Sequence, residues 1–113
     1  MSSDKATQIA RLQEQLKVVV AERQRIELEI KETERVVNEV KSLAEGTEIY
    51  RSTGPVLYKT TGQDVVSSLE KYKADISERL ALYQSQESAL RAELERVRKA
   101  SFVQPKLESD EES

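Results

Sequence analysis

Two long heptad segments, separated by a short stretch that breaks the pattern, constrain this chain more than any other feature. Apolar residues recur at helical spacing from Ile9 to Ala44 and again from Val66 to Val97. The stretch between them, residues 45–63, contains all three glycines of the chain. This arrangement predicts two helices that pack antiparallel as a coiled-coil hairpin. Such a fold is mainly α and leaves no enclosed core in which an active site could be built.

The first segment has apolar residues at nine of its eleven a and d positions, counted with Ile9 as a. A seam sustained over five heptads is typical of a coiled coil and predicts a helix over about residues 4–45. Gly46 is well placed to end this helix, because glycine adopts the left-handed conformation found there. The eleven positions are Ile9, Leu12, Leu16, Val19, Arg23, Ile26, Ile30, Thr33, Val37, Val40 and Ala44.

The middle stretch is typical of a short β-hairpin over about residues 47–60. Two runs, 47–51 and 56–60, are rich in β-branched and aromatic residues, and the turn-forming residues 52–55 lie between them. An isolated two-stranded hairpin is only marginally stable in water. Both of its faces are partly apolar and both edges lack a partner strand, so the sequence predicts an oligomer that forms through this hairpin.

The second heptad segment predicts a helix over about residues 62–101, with Thr61 and Asp64 resembling a capping box at its start. Eight of its eleven a and d positions are apolar. Pro105 is expected to stop the helix, and the acidic residues 105–113 to form a disordered tail. We therefore expect one domain over residues 1–104. The eleven positions are Val66, Leu69, Lys73, Ile76, Leu80, Tyr83, Glu87, Leu90, Leu94, Val97 and Ser101.

Composition argues against several classes of function. The chain has no cysteine and no histidine, which removes thiolate sites and the commonest general base and metal ligand. Residues 4–45 carry nine acidic and eight basic residues, and residues 64–100 carry seven of each, so no basic stripe marks a nucleic-acid interface. We expect no enzymatic activity, cofactor, metal, nucleic acid or membrane span, and a cytoplasmic location.

Two features of the seams each allow two interpretations. Arg23 and Glu87 interrupt the seams at nearly equal distances from the predicted tip, so they either pair across it or each extend to solvent. Apolar residues near the chain ends either continue an ordinary seam or grip other apolar chains when the coil frays. The residues concerned are Ile9, Leu12, Leu16, Leu90, Leu94 and Val97, followed by Phe102 and Val103.

The hairpin stretch resembles that of the β-class subunits of prefoldin. Residues 50–59 run Tyr-Arg-Ser-Thr-Gly-Pro-Val-Leu-Tyr-Lys, and the family pattern is a tyrosine, a basic residue, two variable residues, a glycine, one further residue and a short apolar stretch. The resemblance extends over residues 5–100, because the flanking helices have the length and symmetry of that family. The single hairpin is typical of the β class, since α-class subunits are longer in the middle.

The resemblance implies a subunit of a heterohexamer of two α-class and four β-class subunits. It implies an ATP-independent holdase that captures unfolded client proteins at the helix ends and transfers them to a group II chaperonin. It favours the client-gripping interpretation of the apolar residues near the chain ends. The residues it implies for this role are Ile9, Leu12, Leu16, Leu94, Val97 and Phe102. It also implies that the hairpin makes the assembly contacts, through Ile49, Tyr50, Gly54, Val56, Leu57 and Tyr58.

Two departures from the family pattern stand out. Tyr58 occupies a position that is usually smaller and aliphatic, and the acidic tail favours a eukaryotic subunit 6-like member over an archaeal β subunit. A rival hypothesis is a structural coiled-coil adaptor or tether without chaperone activity, which would assemble through its helical seams alone.

Overall fold

The computed structural model describes residues 2–106, and the side chains of residues 4–100. Helix α1 spans Ser2–Lys41, strand β1 Ile49–Thr53, strand β2 Val56–Thr60 and helix α2 Gly62–Lys106. The predicted order of two long helices around one antiparallel β-hairpin is therefore confirmed. Most of the predicted acidic tail, residues 107–113, lies outside the described residues.

Helix α1 ends at Lys41, four residues before the predicted boundary at about 45. At this end the amide of Ser42 donates to the carbonyls of both Asn38 and Glu39 at 3.2 Å, the amide of Leu43 donates to that of Val40 at 3.1 Å, and the hydroxyl of Ser42 donates to the Glu39 carbonyl at 2.8 Å. The tighter turn that results diverts the chain out of the α-helix. Gly46 adopts a φ of 87°, but it does so in the turn that follows, so it does not itself end the helix.

The β-hairpin closes through a two-residue turn, Gly54-Pro55. Gly54 has a φ of 58°, which glycine adopts without strain, and a glycine followed by a residue of negative φ is typical of type II′ turns. This turn pairs Thr53 with Val56, Arg51 with Tyr58 and Ile49 with Thr60. The turn chemistry predicted from the sequence therefore sets the register of the whole hairpin.

Helix α2 begins where the sequence predicts and ends later. The hydroxyl of Thr61 accepts a hydrogen bond from the amide of Asp64 at 3.1 Å, which is half of the expected capping box. The helix continues to Lys106, beyond the predicted end at about 101, and so includes Pro105. A proline this close to a helix end removes only one backbone hydrogen bond, so it does not prevent the last turn from forming.

The chain divides into two compact units. The hairpin unit comprises residues 25–80, and the terminal unit comprises residues 1–24 and 81–113, of which 2–24 and 81–106 are described. No helix of the described part has the length and apolar character needed to cross a membrane.

Within the hairpin unit, the predicted seam is the core. Ile26 and Ile76 are fully buried, and Val37 and Val65 nearly so. Thr33, a polar seam residue, is also buried, and its hydroxyl bonds the carbonyl of Glu29 at 2.8 Å. Val65 lies outside the a and d positions, so the heptad count does not predict its burial.

In the terminal unit, Leu94 and Val97 are buried, while Ile9, Leu12 and Leu16 are half-buried. In each unit, the two helical segments therefore pack mainly through side chains that the heptads identify. Within the terminal unit, the seam includes the predicted client-gripping residues whose side chains the structure describes.

We expect Ile26→Ala to lower the free energy of unfolding by about 2–5 kcal/mol, because it removes a fully buried side chain and leaves a cavity. Leu28→Ala is the matched control on the same helix, since Leu28 is 68% exposed, and should change stability by less than about 0.5 kcal/mol. Chemical denaturation followed by circular dichroism measures both. Equal losses in the two variants would contradict the seam described here.

Candidate functional site

The β-hairpin presents a face of exposed apolar side chains. Paired residues on antiparallel strands project to the same side of the sheet, so Tyr50 and Leu57 lie on one face, and Ile49 and Tyr58 on the other. Tyr50 is 52% exposed and Leu57 67% exposed. We call the face that carries Tyr50 and Leu57 the outer face. The opposite face also carries exposed apolar side chains, since Val56 is 57% exposed and Tyr58 45% exposed.

The opposite face holds the hairpin against the helices. Ile49 is half-buried, and its Cδ1 lies close to the position a Cβ would take on Gly62, at 3.6 Å. A guanidinium N–H of Arg51 donates to the hydroxyl of Ser68 at 3.3 Å, which ties β1 to the second turn of α2. These contacts hold the inner face of the hairpin against the start of α2, so the outer face lies on the side away from α2.

Polar groups border the outer face. The hydroxyl of Tyr50 donates to the carboxylate of Glu48 at 3.2 Å, and the ammonium of Lys59 lies 3.5 Å from the same carboxylate. The border is therefore locally neutral. The outer strand edges present backbone N–H and C=O groups that no third strand of the described chain pairs. An apolar centre with a polar border and two open edges is suited to binding another sheet.

The six predicted assembly residues therefore occupy one structural element but serve different purposes. Tyr50, Val56, Leu57 and Tyr58 are exposed and available for contact. Gly54 shapes the turn, and Ile49 is a half-buried anchor against the hairpin's own unit. Their role in assembly stays a prediction.

A charged cluster sits within the seam of the terminal unit. Arg23 donates to the carboxylate of Glu87, and both side chains are mostly shielded from solvent. This confirms the interpretation in which the two interrupting residues pair. Arg91 also donates to Glu87, at 2.7 Å. The hydrogen bond from Arg91, followed by that from Arg23, holds the pKa of Glu87 below its usual range.

The predicted client-binding residues lie in the terminal unit but are less open than expected. Leu94 and Val97 are buried, and Ile9, Leu12 and Leu16 are half-buried. Phe102 lies outside the described side chains. Leu16 and Leu94 come together along one shallow groove, which is bordered by Lys17, Arg91 and Arg98.

A second groove of the terminal unit carries exposed apolar surface that the sequence analysis missed. Val18, Val19, Ala89 and Leu90 line it, and Val18 is 57% exposed. The heptad count identifies only Val19 and Leu90, because it finds residues that face the seam and not those beside it. The run of three valines at 18–20 was the available signal.

The structure offers no conventional catalytic or metal centre among the residues it describes. No cluster of three or more acidic side chains there has the arrangement needed to hold a metal ion. The chemistry available on this surface is therefore apolar contact, backbone pairing at the strand edges and ion pairing.

Comparisons with known proteins agree with this geometry. A family model described as "Prefoldin subunit" matches residues 3–101. The "Prefoldin subunit beta" of Sulfolobus acidocaldarius is 37% identical over 91 residues, which cover 80% of this chain and 73% of the relative. That of Archaeoglobus fulgidus is 31% identical over 84 residues, 74% of this chain and 72% of the relative. The crystal structure of the prefoldin beta subunit from Thermococcus strain KS-1 is similar, with a TM-score of 0.84 at 26% identity, covering 88% of this chain and 87% of that one.

We expect Glu87→Gln to change how the free energy of unfolding depends on pH. Because the folded state depresses the pKa of Glu87, its charged form stabilises the fold above the ordinary carboxyl pKa, and this contribution is lost as pH falls through the depressed value. The wild type should therefore be the more stable protein at about pH 7, with the difference shrinking between about pH 5 and pH 2. Thermal unfolding at a series of pH values measures this.

The partner variant Arg23→Gln provides the comparison for that experiment, because it removes one of the two arginines but keeps the carboxylate. Arg23→Gln should lose part of the stability that Glu87→Gln loses at about pH 7, and its difference from the wild type should also shrink as the pH falls. Unfolding curves for wild type and Glu87→Gln that stay equally separated at every pH would contradict the role given to this cluster.

Proposed function

Because this chain belongs to the prefoldin family, as a β-class subunit of that co-chaperone, we propose that it holds unfolded polypeptides without ATP and transfers them to a group II chaperonin. It is not an enzyme, since prefoldin is a non-enzymatic co-chaperone family. The observation that carries the proposal is the combination of an exposed apolar hairpin with apolar surface on a helical pair. We propose that it works in the cytoplasm, where unfolded chains emerge from synthesis.

Membership of this family implies assembly with other prefoldin subunits. We propose that the partners are two α-class and three further β-class subunits, which complete a heterohexamer. The exposed Tyr50, Val56, Leu57 and Tyr58 support the hairpin as the contact, because an isolated subunit leaves these side chains in water. The open strand edges support it further, since pairing with a neighbouring hairpin would satisfy their backbone groups.

Client capture is assigned in this proposal to the terminal unit. Ile9, Leu12 and Leu16 are half-buried and can contact a client with small movements, whereas Leu94 and Val97 become available only where the helix ends separate. Phe102 belongs to the same set by its place in the sequence. The exposed Val18 adds apolar surface that needs no opening. Each contact is weak, so holding depends on several subunits acting on one client.

The assembly proposal predicts that Leu57→Asp prevents hexamer formation. Leu57 is 67% exposed in the subunit, so the change should leave its fold intact, but a carboxylate buried at an apolar contact should weaken assembly more than about a hundredfold. Native mass spectrometry of the subunit co-expressed with an α-class partner measures the complex.

Leu28→Asp is the matched control for that experiment, because it places the same charge at an equally exposed leucine outside the hairpin. It should assemble normally. A normal hexamer with Leu57→Asp would rule out the hairpin contact. A wild-type homodimer that ignores the α-class partner would favour the adaptor hypothesis.

The capture proposal predicts that Ile9→Ser weakens client holding while the hexamer still forms. Suppression of aggregation of a denatured client should fall at least about twofold, because holding depends on several weak contacts and every copy of this chain in the complex loses one. Ile30→Ser is the matched control, since it changes a half-buried isoleucine at the same heptad position of the hairpin unit. An equal loss with both variants would mean that seam stability, and not client contact, is responsible.

A further inference from the structure

The hairpin unit contains a groove that neither the heptad pattern nor the hairpin motif predicts. It lies where α1 ends, between the connecting residues 42–48 and the first turns of α2. Its apolar lining consists of Val40, Leu43, Ala44, Ile49 and Val66. We call this the helix-end groove.

The groove is open because of local features already described. Leu43 is not among the a and d positions of the heptads, lies beyond the end of helix α1 at Lys41, and is 46% exposed. Gly62 contributes no side chain to the floor, where a Cβ would lie 3.6 Å from both Ile49 Cδ1 and Val40 Cγ1. The early helix end and the glycine together leave apolar surface uncovered.

The charge around the groove argues against an acidic occupant. The ammonium of Lys41, at its border, lies 3.6 Å from the carboxylate of Glu70. Because this cation already has a partner on α2, and because Glu45 also lines the groove, the border offers little attraction to an acidic group. An apolar side chain fits the apolar part of the lining without needing a charged partner.

The groove is also continuous with the hairpin. Ile49 lines the groove and is the first residue of β1, so any element that packs beside the start of the hairpin reaches the groove as well. In this chain the hairpin carries exposed apolar side chains such as Leu57 and Tyr58. A neighbouring subunit with a hairpin of the same kind would carry similar side chains that could reach the groove.

We propose that the helix-end groove receives an apolar side chain from the β-hairpin of a neighbouring prefoldin subunit. It is then a second assembly contact, formed by the end of α1 and the start of α2, beside the hairpin contact. This inference rests on the proposed function, since it assumes assembly through the hairpins.

Cysteine labelling tests the proposal directly, because the chain has no native cysteine. We would prepare Leu43→Cys in the groove, Leu57→Cys on the outer face and Leu28→Cys as an exposed control. Each is labelled with a maleimide as the isolated subunit and again within the purified hexamer. We expect labelling at positions 43 and 57 to slow at least about tenfold on assembly, because thiol reactivity follows access, and labelling at position 28 to be unchanged.

The outcomes separate this inference from the proposed function. Protection at position 57 alone would overturn the groove contact and leave the hairpin contact standing. Protection at neither position in an intact hexamer would overturn both. Slow labelling at position 43 already in the isolated subunit would overturn the inference, because the chain would then fill its own groove.

A photo-crosslinker attached to the cysteine at position 43 identifies the occupant. Digestion of the crosslinked hexamer should yield a peptide from a neighbour's β-hairpin. A crosslink to any other segment, or to a client, would overturn the proposal even if the groove were protected.

Discussion

Helices α1 and α2 bury apolar side chains along a narrow stripe of each helix. The narrowness of this stripe explains why other apolar side chains stay exposed. Within the described residues, complete burial is reached only at Ile26 and Ile76, both in the hairpin unit. A seam built mainly from the a and d side chains stabilises the helices, but it cannot cover the hairpin or the sides of the helix pair. Apolar surface left over in this way is available for contact with other chains, which is consistent with a subunit that assembles with other prefoldin subunits.

The two faces of the hairpin have different surroundings. Ile49 and Arg51 hold it against its own unit, while Tyr50 and Leu57 project away. Because the inner face is anchored by both an apolar and a polar contact, the direction of the outer face is fixed before any partner arrives. Preorganisation of this kind lowers the entropy lost on association.

Much of the fold follows from local sequence patterns, while the grooves do not. The heptads identify the side chains that meet in the seam, and Gly54-Pro55 identifies the turn, because each depends on spacing along one chain. The pairing of Arg23 with Glu87 could be proposed but not decided, since it depends on the register of two distant segments. The end of α1 was misplaced because the hydrogen bonds of its last turn tighten at Ser42 and Leu43, before Gly46 is reached. The groove around Leu43 and that around Val18 arise where surfaces from two helices or a loop come together, and no single periodicity describes them.

The tight turn at Gly54 and Pro55 also limits how this protein can vary. The strands alternate sides at every residue, so one residue inserted between Val56 and Leu57 would send Leu57 to the anchored face and Tyr58 to the open one. Every rung beyond the insertion would be inverted together. Residues 42–48 carry no strand pairing and can change length at little cost to the ladder. Among related proteins, gains and losses of sequence should therefore collect before β1, while the spacing from Ile49 to Thr60 stays constant.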